Sequence, residues 1–208
     1  GATATSTLGA GITQTATNNG SASASASTAV YSPVATAALN NAKGATVAVG
    51  TVATANATTS GNAVASGTLS NGITQTATAS DSTTGVGLVT TGNVGLTNAG
   101  TLNIGSVVTA KAAAGTATAT ANGTTAVTQS ASGKNANVTL TNTADGVVAF
   151  ANTAKAEGKG ASTANAGITG VNQSAVATGP ATTVDPTGVA KVTFANAGKF
   201  DVAGVAGT

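Results

Sequence analysis

The chain has 208 residues, 48 of them Ala, 42 Thr and 28 Gly, a mixture far from that of an ordinary globular domain. It has no His, Cys, Met or Trp, its seven basic residues are all Lys, and 6% of its residues are charged. Zinc and copper sites, thiol chemistry and imidazole-based triads therefore lack their ligands and bases, and a net charge of +2 without Arg offers no footprint for nucleic acid.

Disorder is not the expectation either. Disordered chains pair low hydrophobicity with high net charge, whereas the mean hydropathy here is +0.24. No apolar run is long enough for a membrane-spanning helix. The chain begins at Gly1 in mid-pattern and reads as a processed protein or an excised segment, and the absence of Cys suits an exported protein stabilised without disulfides.

In chain order, residues 1–10 form a Thr/Ala-rich stretch expected to be an N-terminal arm. Gly11-Ile12-Thr13-Gln14-Thr15-Ala16-Thr17 follows, then the strictly alternating run Ser21–Ser27. Leu39-Asn40-Asn41 leads through Gly44 to Val47-Ala48-Val49. The first motif returns unchanged from Gly72 to Thr78, and the second as Leu96-Thr97-Asn98-Ala99-Gly100-Thr101-Leu102-Asn103-Ile104. Weaker copies begin at Ala126 and Gly170, followed by Leu140-Thr141-Asn142 with Gly146-Val147-Val148 and by Phe194-Ala195-Asn196-Ala197-Gly198-Lys199-Phe200. Two motifs in one order, four times, define tandem repeats over residues 11–71, 72–122, 123–167 and 168–208. The steps between Gln14, Gln75, Gln129 and Gln173 shrink from about 60 to about 44 residues, as insertions in loops around a shared framework would make them.

Period-two alternation, as in Thr116–Ala121 and Val138–Thr141, predicts strands with one face turned inward. Asn19-Gly20, Asn71-Gly72, Ala99-Gly100, Asn122-Gly123 and Asp145-Gly146 are expected at turns. Lys111-Ala112-Ala113-Ala114 is too closely bounded by Thr and Gly for a helix of useful length. The expected fold is all-β and elongated, a β-solenoid; the alternative is a β-sandwich subunit polymerising by strand donation. Large apolar residues are scarce, so the core must be thin, with ladder hydrogen bonds and contacts between repeats carrying much of the stability.

Asn41, Asn98, Asn142 and Asn196 occupy one position in four repeats. They suit either a left-handed turn or an amide ladder. Gln14, Gln75, Gln129 and Gln173 stand mid-strand, where a ladder or an inward polar contact is expected. The Thr-x-Thr rows Thr13–Thr17, Thr74–Thr78 and Thr116–Thr120 raise ice binding, which needs rows in register on consecutive rungs. Their unequal separations argue against it. The acids Asp81, Asp145, Glu157, Asp185 and Asp201 are spread singly, without a calcium loop or a paired-carboxylate signature. Ala154–Gly160 carries three charges and reads as an exposed loop. Asn19, Asn56, Asn122, Asn137 and Asn172 begin glycosylation sequons that chance explains in so Asn- and Thr-rich a chain. No catalytic, cofactor or metal residue emerges.

The runs Leu96–Gly105 and Phe194–Val202, of the form apolar-x-Asn-x-Gly-x-apolar-x-apolar, resemble the repeats of exported bacterial adhesins of the filamentous-haemagglutinin and autotransporter type. That resemblance implies a right-handed parallel β-solenoid projecting from a cell surface. The expected function is a structural, non-enzymatic subunit of an extracellular filament or cell-surface coat, with copies of itself as partner. The alternative is an adhesin stalk or binding module with a surface or glycan partner, an ice-binding plate being less favoured. Residues 1–32 and 44–80 contain neither charge nor Pro, so edge pairing between subunits is expected there.

Overall fold

The computed structural model describes residues 1–20, 33–81, 89–178 and 188–208. Their regular structure is entirely β, as the alternation predicts: Ala and Val alternate with Thr and Ser, and no helix interrupts them. Three strands make one coil of a solenoid. The first coil contains β1 (Ala2–Gly20), β2 (Val34–Asn41) and β3 (Thr46–Ala57), and the second β4 (Ala63–Asp81), β5 (Thr91–Asn98) and β6 (Thr101–Ala112). The third contains β7 (Ala117–Gly133), β8 (Asn135–Asn142) and β9 (Val147–Gly158), and the fourth β10 (Thr163–Ala177), β11 (Ala190–Asn196) and β12 (Lys199–Gly207). Corresponding strands stack into three parallel sheets, β1-β4-β7-β10, β2-β5-β8-β11 and β3-β6-β9-β12. Sheet A, the sheet of long strands, covers one side of the coil. Sheets B and C, in that order, return along the other.

The register keeps repeat on repeat. Gln14 pairs with Gln75, Gln75 with Gln129, and Gln129 with Gln173. Asn41, Asn98, Asn142 and Asn196 align likewise on sheet B. Parallel sheets usually bury both faces and read as continuous apolar runs. A solenoid buries one face, which is why this chain alternates.

Side-chain size follows the cross-section. Where the first half of sheet A faces sheet C the core is Ala63, Ala65, Ala117, Ala119, Ala154 and their neighbours, with Val108 the largest member. In the middle, where the chain corners from sheet B to sheet C, Leu69, Ile73, Leu96, Ile104, Leu140 and Phe150 fill a thicker space. Beyond it Ala35, Ala37, Ala77, Ala131 and Ala136 close the far end with Val94 and Val138. The Ala-rich composition thus describes a spindle, thin at both ends. On sheet C a Cβ at Gly50 would lie 1.9 Å from the Gly105 carbonyl oxygen, and one at Gly105 would lie 1.7 Å from that of Ala151. The strands approach too closely there for any side chain.

Several expectations need correction. The donated-strand sandwich is excluded by the wholly parallel sheets. Residues 1–10 are no free arm: Ala2–Leu8 pair with Ala63–Leu69, so each coil starts ahead of the Gly-Ile-Thr-Gln motif. The stretch 44–80 is not all edge, because β4 is paired on both sides, with β1 and β7. Unpaired edges among the described strands belong to β1–β3 and β10–β12. Asn71-Gly72 and Asn122-Gly123 lie within β4 and β7, whereas Ala99-Gly100 and Asp145-Gly146 do turn the chain between sheets B and C. The alternating run Ser21–Ser27 lies outside the described residues.

Candidate functional site

The polar side chains inside the solenoid form columns along its axis. Gln75 donates from Nε2 to Gln14 Oε1 at 2.8 Å, Gln129 to Gln75 Oε1 at 2.8 Å, and Gln173 to Gln129 Oε1 at 2.8 Å. The other hydrogen of each amide crosses the core to a sheet B carbonyl: Gln14 to Ala38 at 3.0 Å, Gln75 to Gly95 at 3.0 Å, Gln129 to Thr139 at 3.2 Å, Gln173 to Thr193 at 3.4 Å. The column is a ladder along the sheet and a tie between sheets.

The Asn column is built alike with the opposite sense. Asn41 Nδ2 donates to Asn98 Oδ1 at 2.7 Å, Asn98 to Asn142 at 2.8 Å, and Asn142 to Asn196 at 2.8 Å. Each also donates to the next coil's backbone at the corner: Asn41 to Thr101 O, Asn98 to Val147 O, Asn142 to Lys199 O. Among the described residues no non-Gly residue has positive φ. The left-handed turn reading of these Asn is therefore replaced by the ladder reading, and Gly44, with φ of 80°, takes the left-handed position in the first coil's turn.

A third column, between the bulky core and the Ala core, escaped sequence reading because its residue type changes from coil to coil. Thr51 Oγ1 donates to Ser106 Oγ at 2.8 Å, and the Ser106 amide donates to Asn152 Oδ1 at 2.7 Å. Asn152 Nδ2 in turn bonds the sheet A carbonyls of Ala121 and Gly167. No buried side-chain nitrogen or oxygen among the described residues lacks a partner.

On the outside of sheet A, the unequal sequence separations do not put the Thr rows out of step. Thr13, Thr74 and Thr128 are in register, as are Thr15, Thr76 and Ser130, and Thr17, Thr78 and Ser132. The extra residues of the longer coils lie between β1 and β2 and between β4 and β5. Thr118 and Thr120 belong to the other half of that face, beside Val64 and Ser66.

Three of the acids face lysines. Asp145 meets Lys43 at 3.1 Å, joining the turns of the first and third coils over the shorter turn of the second. Asp201 meets Lys199 at 3.1 Å. Glu157 bonds Lys155 and, at 3.0 Å, Lys111. Those two hydrogen bonds, Lys155's first, hold the Glu157 carboxyl below its ordinary pKa. Ala154–Gly158, expected in a loop, is the end of β9, with Ala154 and Ala156 buried. Asp81 ends β4, and Asp185 lies outside the described residues. No three metal-ligating side chains cluster among the described residues, and no helix there is long and apolar enough to cross a membrane. A surface hollow of about 540 Å³ forms a shallow trough on the outer side of sheet C, lined by Gly50, Val52, Gly105, Val107 and Ala151 among others. The site this chain builds is its own stacking axis.

No protein-family model, curated protein or solved structure matches the chain.

Proposed function

We propose that the chain is a structural, non-enzymatic subunit of an extracellular filament or cell-surface coat, a rigid β-solenoid rod that self-assembles through its strand edges. One observation carries the reading: the two amide ladders, which run unbroken through all four coils and commit their polar groups to holding coil on coil. The resemblance to exported adhesin repeats supports the surface location. Negative-stain electron microscopy of the purified chain tests the proposal. Rods longer than one solenoid are expected, and monodisperse monomers at high concentration would overturn it.

A second reading, an ice-binding plate, gains from the register of the Thr rows. Parallel strands about 4.8 Å apart, with outward residues about 6.7 Å apart along each strand, hold hydroxyls in a rectangular mesh. Among the described residues, no protein group engages any of the nine Thr and Ser hydroxyls in those rows. Ice-recrystallisation assays decide it. Inhibition that Thr76→Lys removes, and Asn103→Lys on the outer side of sheet C leaves intact, would support the plate; unchanged grain growth with the unaltered chain would exclude it.

A further inference from the structure

We infer that the two ends of the solenoid are docking surfaces for one another, so that copies of this chain stack head to tail, and in that sense alone, into a polar rod. The inference rests on the filament reading and supplies its partner surface and symmetry.

Hydrogen-bond direction gives the solenoid a polarity. Every Gln of the ladder donates toward the preceding coil, and every Asn donates toward the following one. Neither sense reverses anywhere in the four coils. At the first coil Gln14 has given one amide hydrogen to Ala38 O and keeps the other, while Asn41 Oδ1 receives no donor among the described residues. At the fourth coil the positions are exchanged. Among the described residues Gln173 Oε1 receives no donor there and the Asn196 amide has no acceptor. One end therefore presents a donor on sheet A and an acceptor on sheet B, and the other end presents the converse in the same register. Setting the first coil of a second copy on the fourth coil joins Gln14 Nε2 to Gln173 Oε1 and Asn196 Nδ2 to Asn41 Oδ1, continuing both ladders without a break.

Two further features agree. Among the described strands, the outer edges of β1–β3 and of β10–β12 present unpaired backbone of one polarity, which a parallel neighbour completes. The end coils also show the core in section. Leu8, Ile12 and Leu39 are half-buried at one end, while Phe194 and Val202 are each 47% exposed at the other. Phe194 continues the column Leu39, Leu96, Leu140, so the next residue above it in a stack is Leu39 of the second copy. Two first coils set face to face would instead oppose donor to donor and run their strands antiparallel. The contact is heterologous and does not close, so it propagates as a fibre.

The absence of Cys makes the test direct. Ser174 lies in the column of Ser130, Thr76 and Thr15, so stacking brings Ser174 of one copy beside Thr15 of the next. Parallel neighbours at about 4.8 Å fall within disulfide range. Full-length T15C and S174C, mixed and oxidised, are expected to yield the mixed 15–174 dimer in roughly tenfold excess over either self-dimer. Predominant 15–15 or 174–174 dimers would overturn the polarity while leaving the filament reading intact. Filaments visible by microscopy without any cross-link would overturn end stacking alone. A mixture that stays monomeric and uncross-linked would overturn both.

Discussion

Gln75 shows what one side chain does in this fold. It is fully buried, donates to Gln14 and to the Gly95 carbonyl, and accepts from Gln129. Truncating it strands three groups, and an unsatisfied buried group costs about 1–3 kcal/mol. Gln75→Ala is therefore expected to destabilise by roughly 3–5 kcal/mol, and Gln14→Ala, at the open end, by roughly 1–2 kcal/mol. Urea-unfolding midpoints check the ranking. Equal costs would mean the ladder is not cooperative across coils. Asn98→Asp probes direction rather than presence. A carboxylate there would face the Asn142 carbonyl oxygen and the Val147 carbonyl with no hydrogen to give. Burial beside acceptors raises an Asp pKa. The variant's deficit should thus be full near neutral pH and shrink as the pH falls through that raised pKa, where one proton is restored. A pH-independent deficit would contradict the assigned donor sense. Both columns were legible in the sequence as residue types recurring in four repeats. Their sense was not, because amide orientation depends on which carbonyl lies opposite. The Thr51–Ser106–Asn152 column was illegible for a different reason: its side chains share a place and a bonding role but no residue type.

At the scale of the element, the spindle core sets which substitutions are tolerated. Phe150 is fully buried, edge-to-face with Phe200 at 5.3 Å between ring centroids, and Phe200 meets Phe194 at 5.2 Å. These rings bind the fourth coil to the third. Phe150→Ala is expected to cost about 3–5 kcal/mol and to let the fourth coil open before the rest, seen as early hydrogen exchange confined to residues 163–177 and 190–207. Ala119 lies at the thin end, where Ala faces Ala. Ala119→Leu should destabilise by roughly 1–3 kcal/mol through overpacking, although the same change raises hydrophobicity. On the surface, the Glu157 carboxyl is held below its ordinary pKa by Lys155 and Lys111. A depressed carboxyl pKa stabilises above the unfolded value and loses that effect as pH falls through the folded one. The unfolding midpoint should therefore drop slightly on acidification below about pH 4.5, and Glu157→Gln should remove that component. Strand identity was legible in the alternation of Ala with Thr. The starting point of each coil was not, since Thr faces outward and Ala inward on both sides of Gly11. Nothing local distinguishes a paired Ala2–Leu8 from a free arm, and the register that settles it is set by residues some sixty positions away.

The whole molecule behaves as a stack in which each coil touches its neighbours, so its stability is a sum of coil and interface terms. Register makes the coils interchangeable. Ala2 pairs with Ala63, Ala63 with Ala117, and every later position of β4 up to Thr78 stands between counterparts in β1 and β7 apart from a short irregular stretch around Ser70 and Gly72. Removing residues 63–116 would join Asn62 to Ala117 and set β1 directly on β7, with Gln14 over Gln129, Asn41 over Asn142 and Val47 over Val148. Both ladders would close across the deletion in their original sense. The column of Leu39 and Leu140 and the Ala columns at the thin end would remain like on like. The Lys43–Asp145 ion pair, which now reaches over the second coil's turn, would be exchanged for direct contact of the two turns. With only twelve charged residues, the chain relies on burial and ladders rather than ion pairs, so that exchange should cost little. The shortened chain is therefore expected to keep the circular-dichroism spectrum of a parallel β-protein. Its dependence of unfolding free energy on urea should fall by roughly a quarter, in proportion to the surface removed, and its midpoint should drop because one inter-coil interface is gone. Loss of all structure would show that the second coil is specific to its place, and that the solenoid is a single indivisible unit rather than a stack.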